Sequence, residues 1–171
     1  MSPTLQGLVI GNYMTITYKK RIRLKEFDYK GLYRYSVTIC TFNKEQIFKD
    51  NPFIVTWLVD ILRDQSITFG FKIWAYCFMP DHLHLLSEGN NADSNLKRFI
   101  SSYKQISNFY YKARAGKSLW QINYYDHVLR REEDNMAVAY YIFNNPVRGG
   151  IVGDFRRYKF IGSFEFDVAE L

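Results

Sequence analysis

The pattern of periodicities along this chain predicts an α+β fold of the ferredoxin-like kind. Helices pack on an antiparallel sheet, and one further helix follows late in the sequence. Three observations predict it. Apolar patterning runs strand, helix, strand, strand, helix, strand, helix, and the first six elements match the β-α-β-β-α-β order. Both long helical stretches begin at a cap signal or end at a breaker. The 171 residues are 47% hydrophobic and 18% aromatic, which suits one domain, 1–171, with a real core.

Taken in order, residues 1–30 are mixed in character and read as a less ordered extension. They hold the basic run Lys19-Lys20-Arg21-Ile22-Arg23-Leu24-Lys25, whose five cations repel one another. Such a run faces solvent or lies on a phosphate backbone. Residues 32–42 are aromatic and β-branched and read as a strand. Asn51-Pro52 starts a helix, and Ile54, Trp57, Leu58, Ile61 and Leu62 then recur at helical spacing. Residues 71–79 are apolar on both alternating faces, as in a strand at the sheet centre. Pro80-Asp81 supplies a turn, and 82–87 form the returning strand. A long helix is expected over about 93–112, with Leu96, Phe99, Ile100, Tyr103, Ile106 and Tyr110 as its stripe and Gly116 as its stop. Residues 120–130 contain another strand. Glu132-Glu133-Asp134 opens a last helix, with acids at its positive end, and Pro146 stops it near Asn145. Residues 163–171 read as a second, less ordered extension.

The net charge of +6 favours polyanionic partners, of which nucleic acid is the usual one. Cys40 and Cys77 both fall inside strand-like runs, so a buried, reduced pair in the cytoplasm fits better than a disulfide scaffold. No Cys-x-x-Cys spacing supports metal binding by thiolates. No apolar run reaches the roughly 18 residues of a membrane span. No basic start leads into a long apolar stretch, so no secretory signal is expected.

His82 and His84 are the chemically pointed pair. Alternate residues of a strand share a face, so both imidazoles point one way while Leu83 and Leu85 point into the core. Two adjacent imidazoles are half of a metal site, given one or two more ligands. By spacing alone, the plainer reading is two histidines on an exposed strand face. His127 is the remaining histidine, and as a third ligand it would make a zinc hydrolase.

Three strings carry a resemblance: Tyr76-Cys77-Phe78-Met79-Pro80-Asp81-His82-Leu83-His84-Leu85-Leu86; Leu119-Trp120-Gln121 with Tyr124-Tyr125-Asp126-His127; and Tyr141-Ile142-Phe143-Asn144-Asn145-Pro146-Val147-Arg148. Together, over about residues 19–165, they resemble the REP-associated tyrosine transposases, a domesticated branch of the HUH superfamily of single-tyrosine transposases. The resemblance implies that His82 and His84 hold a divalent metal, magnesium or manganese. It implies a late-helix tyrosine that attacks phosphorus, forms a 5′-phosphotyrosine link and releases a 3′-hydroxyl. Attack by another 3′-hydroxyl then reseals the strand without ATP. The implied partner is single-stranded, hairpin-forming palindromic DNA. Relatives in insertion sequences act as dimers and the domesticated branch as monomers, so both states stay open.

Matched to the late-helix motif, the nucleophile falls on Tyr141. Asn145, four residues on, shares its helix face and stands where relatives carry a metal-ligating glutamine; its alternative role is to cap the helix before Pro146. Tyr140, paired with Asn144, is the rival. Met136, Tyr140 and Phe143 form an apolar face expected to pack inward, which leaves Tyr141 freer. The DNA-binding candidates are Lys19, Lys20, Arg21 and Arg23, then Lys97, Arg98 and Lys104, then Arg130, Arg131 and Arg148. Cations interleaved with aromatics suit single strands, because phosphates pair with charge and bases stack on rings. A catalytically silent hairpin-binding module on the same fold is the alternative, and the shorter Asn145 is the feature that supports it.

Overall fold

The structure is a computed structural model, and it describes residues 27–171. Lys19, Lys20, Arg21 and Arg23 lie outside the described residues. The elements run β1 Arg34–Cys40, α1 Pro52–Phe69, β2 Phe71–Met79, β3 His82–Gly89, α2 Leu96–Ala115, β4 Tyr125–Val128, α3 Asn135–Phe143, α4 Asn145–Arg148 and β5 Ile161–Gly162. The sheet order is β4-β1-β3-β2-β5, with every pairing antiparallel. Its first four members take the arrangement expected of the ferredoxin-like order, and β5 adds a short edge.

Local chemistry sets the helix ends. Asn51 accepts from the Ile54 amide at the start of α1, and Gly70 closes it at φ 67°. Asn95 accepts from the Arg98 amide at the start of α2. The helix therefore begins at Leu96 rather than Asp93, whose amide is taken up by Asn91 Oδ1 in the preceding turn. Gly116 ends α2 at φ 71°. The strand expected over 120–130 is pared to Tyr125–Val128. Trp120 turns inward instead, donating its indole N–H to Ser107 Oγ at 2.8 Å.

The sheet has two covered faces. Val37, Ile39, Ile73, Phe78, Leu83 and Leu85 point to the side where α1 and α2 lie, and join Leu58, Leu62, Phe99 and Tyr103 in one core. On the other side Ala75, Cys77 and Leu86 meet Val138, Ala139, Ile142 and Phe143 of α3. A register shift between Ile73 and Ala75 turns Trp74 to this second side, where its indole N–H donates to Glu88 Oε2 at 2.6 Å. The 163–171 segment, expected as an extension, lies against the protein. Phe164 packs under the Arg63 guanidinium at 4.1 Å, and Phe166 meets Phe143 edge-on at 6.2 Å. Its aromatic side chains bury apolar area that an extension would leave in water. Both cysteines are buried and free. Among the described residues no helix is long and apolar enough to cross a membrane.

Candidate active site

The β2–β3 hairpin pairs Met79 with His82, so Pro80 and Asp81 alone form its loop. That brings His82 to the first position of β3, with His84 next on the same side. This is the side that receives α3, as the burial of Leu83 and Leu85 on the other requires. The two Nε2 atoms converge to 3.0 Å. Each Nδ1 is held by a different neighbour: Asp81 Oδ1 lies 2.5 Å from His82 Nδ1, and Thr38 Oγ1 lies 3.1 Å from His84 Nδ1. With each Nδ1 engaged, the two Nε2 atoms, which share a hydrogen bond with one another, are the atoms placed to coordinate an ion, as in histidine metal ligands.

Electrostatics agree with this geometry. Burial pushes the His84 imidazolium down to about 3, assisted by the charges of His82, Arg148 and Lys44. Burial also lowers His82, against the pull of Asp81. Both rings are therefore neutral at neutral pH, the form of imidazole that ligates an ion. The donor set fits a divalent metal as two imidazoles with ordered outer partners. Among the described residues no group of three or more His, Cys, Asp or Glu side chains forms such a site. His127 is accordingly not brought to the pair; its Nε2 stands 3.5 Å from Glu133 Oε1. The remaining positions fall to water, substrate oxygens or an amide.

Asp134 caps the helix bearing the candidate nucleophile, accepting from the Met136 amide at 3.1 Å. Its inward face is Val138, Ala139, Ile142 and Phe143. This corrects the face expected from Met136, Tyr140 and Phe143. Small Ala139 lets the helix lie close on the sheet, and that rotation leaves Tyr140 38% exposed, edge-on to Phe155 at 6.2 Å. Tyr141 is half-buried, and the Arg148 guanidinium stacks over its ring at 3.8 Å. Arg148 also donates to Tyr141 O at 2.9 Å and to Asn145 Oδ1 at 2.7 Å. The other end of the Asn145 amide donates to Ile142 O at 2.9 Å. As arranged, this side chain caps the helix end and its oxygen accepts from Arg148.

The DNA-binding candidates separate in space. Arg148 reaches the His face, where its charge is felt by His84 and Cys77. Arg130 and Arg131 are exposed in the β4–α3 connection. Lys97 and Arg98 are exposed on the first turn of α2, across the sheet from the histidines. Lys104 holds a loop, donating to Gln121 O at 2.8 Å and Ile122 O at 2.6 Å. Sequence reasoning missed Thr38, Asp81 and Lys44. Asp81 was findable as the neighbour of His82; Thr38 needed the β1–β3 register.

Comparison with known proteins accords with this arrangement. The REP-associated tyrosine transposase of Escherichia coli (strain K12) is 28% identical over 112 residues, which cover 66% of this chain and 63% of that protein. The matched region thus spans less than two thirds of that relative. An uncharacterized protein of Haemophilus influenzae (strain ATCC 51907 / DSM 11121 / KW20 / Rd) is 26% identical over 162 residues, covering 77% of this chain and 90% of the relative. A solved REP-associated tyrosine transposase bound to a REP hairpin has the same fold, with a TM-score of 0.68 at 21% identity over 87% of this chain and 86% of that one. The family described as "Transposase IS200 like" matches residues 29–145, which take in β1 to β4, the His82–His84 pair and the whole of α3 with Tyr141. With a match of that extent lying on the elements that build the site, this chain belongs to the IS200-like transposase family.

Proposed function

We propose that this protein cleaves and rejoins single-stranded, hairpin-forming DNA, with Tyr141 as nucleophile and a divalent ion, magnesium or manganese, held by His82 and His84. The observation that carries the reading is the pair of Nε2 atoms 3.0 Å apart, each imidazole oriented by its own partner, on the face of the sheet that receives the tyrosine-bearing helix. Held by His82 and His84, such an ion would supply Lewis-acid polarisation of a phosphate oxygen.

The chain's own residues do the rest. The Tyr141 phenol oxygen attacks phosphorus, its proton passes to solvent, and the P–O3′ bond breaks with its electron pair on O3′. The product is a 5′-phosphotyrosine and a free 3′-hydroxyl; reversal by another 3′-hydroxyl rejoins strands. Arg148 holds the ring face and carries a cation toward the phosphate. Arg130 and Arg131 extend the basic surface along the flanking strand. The buried, free Cys40 and Cys77 support a reducing, cytoplasmic setting.

A second reading, a hairpin binder without cleavage, is favoured by the Asn145 amide, which is engaged at both ends within the helix terminus. One experiment decides between them. A labelled pool of DNA hairpins with randomised flanks, enriched for binding, is incubated with Mn²⁺ or Mg²⁺ and run on a denaturing gel. A covalent protein–DNA band is expected, absent in Tyr141→Phe and His82→Ala while hairpin affinity holds. Tight binding with no band would leave the silent module. A band that survives Tyr141→Phe would remove Tyr141 from the role.

A further inference from the structure

Lys44 was singled out by neither the sequence nor the family match, yet the chain is bent to deliver it to the His face. It lies in the short turn Phe42–Lys44 after β1. Asn43 and Lys44 take left-handed backbone conformations in succession, at φ 53° and 56°, where neither residue is a glycine. Strain of this sort persists only where surroundings impose it, and it gathers at functional sites. The surroundings here are specific. Thr41 Oγ1 donates to Glu45 O at 2.8 Å and stands 2.9 Å from Asp81 O; the Lys44 amide returns to Thr41 O at 3.1 Å. The loop is thus tied to the same turn whose Asp81 orients His82.

The side chain then reaches back over the strand. Lys44 Nζ is 3.0 Å from Cys40 Sγ, and Cys40 is the cross-strand partner of His82. Cys40 shares its side of β1 with Thr38, whose hydroxyl meets His84. A thiol is a weak acceptor. Among the described residues no carboxylate stands within ion-pair distance of Lys44. Arg148 approaches the histidines from α4, so two cations flank the pair from different elements. Cations around a site suited to a dication repel it and one another unless an anion joins them. The same charge reaches both imidazoles.

We propose that Lys44 is a further catalytic residue, a fixed cation that binds a non-bridging oxygen of the scissile phosphate beside the His82–His84 pair. The inference rests on the tyrosine reading above. In the step, the Tyr141 oxygen–phosphorus bond forms and the P–O3′ bond breaks. The phenol proton goes to solvent and O3′ takes one from solvent. Lys44 neither gives nor receives a proton; it offsets the charge that accumulates on the phosphoryl oxygens.

The test uses the hairpin that the wild-type protein cleaves, in two forms: the ordinary phosphodiester, and a neutral methylphosphonate at the scissile position, resolved into its two diastereomers. Single-turnover adduct formation in Mn²⁺ is compared for wild type, Lys44→Ala, Lys44→Arg and Lys44→Met, the last keeping the apolar stem. On the phosphodiester, Lys44→Ala and Lys44→Met should be slower by about 100-fold, as for loss of one charge-stabilising donor, and Lys44→Arg less so. On the diastereomer lacking the oxygen that faces Lys44, the deficit should shrink to roughly 3-fold or less, because the charge it answers is gone. A residue that merely shaped the loop would slow both substrates alike. An equal deficit on phosphodiester and methylphosphonate, or no deficit on either, overturns the proposal and leaves Tyr141 standing. No adduct with wild type on either substrate overturns the tyrosine reading and this inference with it.

Discussion

A histidine serves as a ligand only when its free nitrogen is aimed, and aiming requires something at the other nitrogen. Here the two histidines are aimed from opposite hands, His82 by the carboxylate beside it in the turn and His84 by a hydroxyl one strand away. Outer partners of this kind are worth about 10–100-fold in metal affinity. Thr38→Val should therefore weaken Mn²⁺ binding by roughly 10-fold, and Asp81→Ala by at least as much. Titration calorimetry on each variant, with His82→Ala as the reference for a lost ligand, reads this directly. Unchanged affinity in Thr38→Val would mean that the hydroxyl does not orient the ring. The pair itself was legible from sequence, because the period of a strand is two and needs no partner to be recognised. The hydroxyl was not, because Thr38 is 46 residues away and only the register of β1 against β3 brings it there.

At the scale of elements, the late helix is anchored by more than its cap. Arg34, at the start of β1, donates to Glu133 O at 2.6 Å, Arg130 O at 2.5 Å and Asn135 Oδ1 at 2.9 Å. Asn135 in turn reaches Glu88 Oε2, which also accepts from Trp74. Three strands thereby hold the first turn of α3 and, through it, the rotation that sets Tyr141. Hydrogen bonds to a charged group contribute about 1.5–3 kcal/mol, so Arg34→Met should lower the local opening energy of α3 by about 2 kcal/mol. Hydrogen exchange across 135–143 should accelerate while β2 and β3 stay protected. Equal protection in the variant would show that the apolar face alone fixes the helix. The existence of α3 and its Asp134 cap could be read from the sequence, although Glu132 and Glu133, expected to open it, lie before its first turn. Its rotation could not, because Met136, Val138, Tyr140, Ile142 and Phe143 are all apolar enough to face a core; contact with Ala75, Cys77 and Leu86 selected Val138, Ala139, Ile142 and Phe143.

At the scale of the whole molecule, the two faces of the sheet carry different work: α1 and α2 bury one, and α3 shares the other with the histidines. The buried face includes Tyr35 and Tyr103, whose hydroxyls find no partner among the described residues and whose phenols burial pushes well above their ordinary value. Because the folded-state value is raised, the neutral form is what the fold favours. Its contribution is fully present below the unfolded tyrosine value of about 10 and is lost as pH climbs beyond it, since the unfolded chain then binds fewer protons than the folded one. Thermal unfolding midpoints should fall steadily above about pH 10, and Tyr103→Phe should flatten that fall without loss at pH 7. A Tyr103→Phe protein as alkali-sensitive as wild type would place the cause elsewhere. By itself the sequence determined the order and type of the elements from β1 to α3, the shared face of His82 and His84, and the family strings, because periodicity, caps and turns are local properties of a chain; the α4 turn and the β5 edge were not among them. Tertiary structure alone decided that β1 lends Thr38 to His84, that α3 turns Tyr140 outward, that Asn145 answers Arg148, and that Lys44 comes to rest beside Cys40. Each depends on register, helix rotation or loop path, which are settled by contacts between residues far apart in the chain.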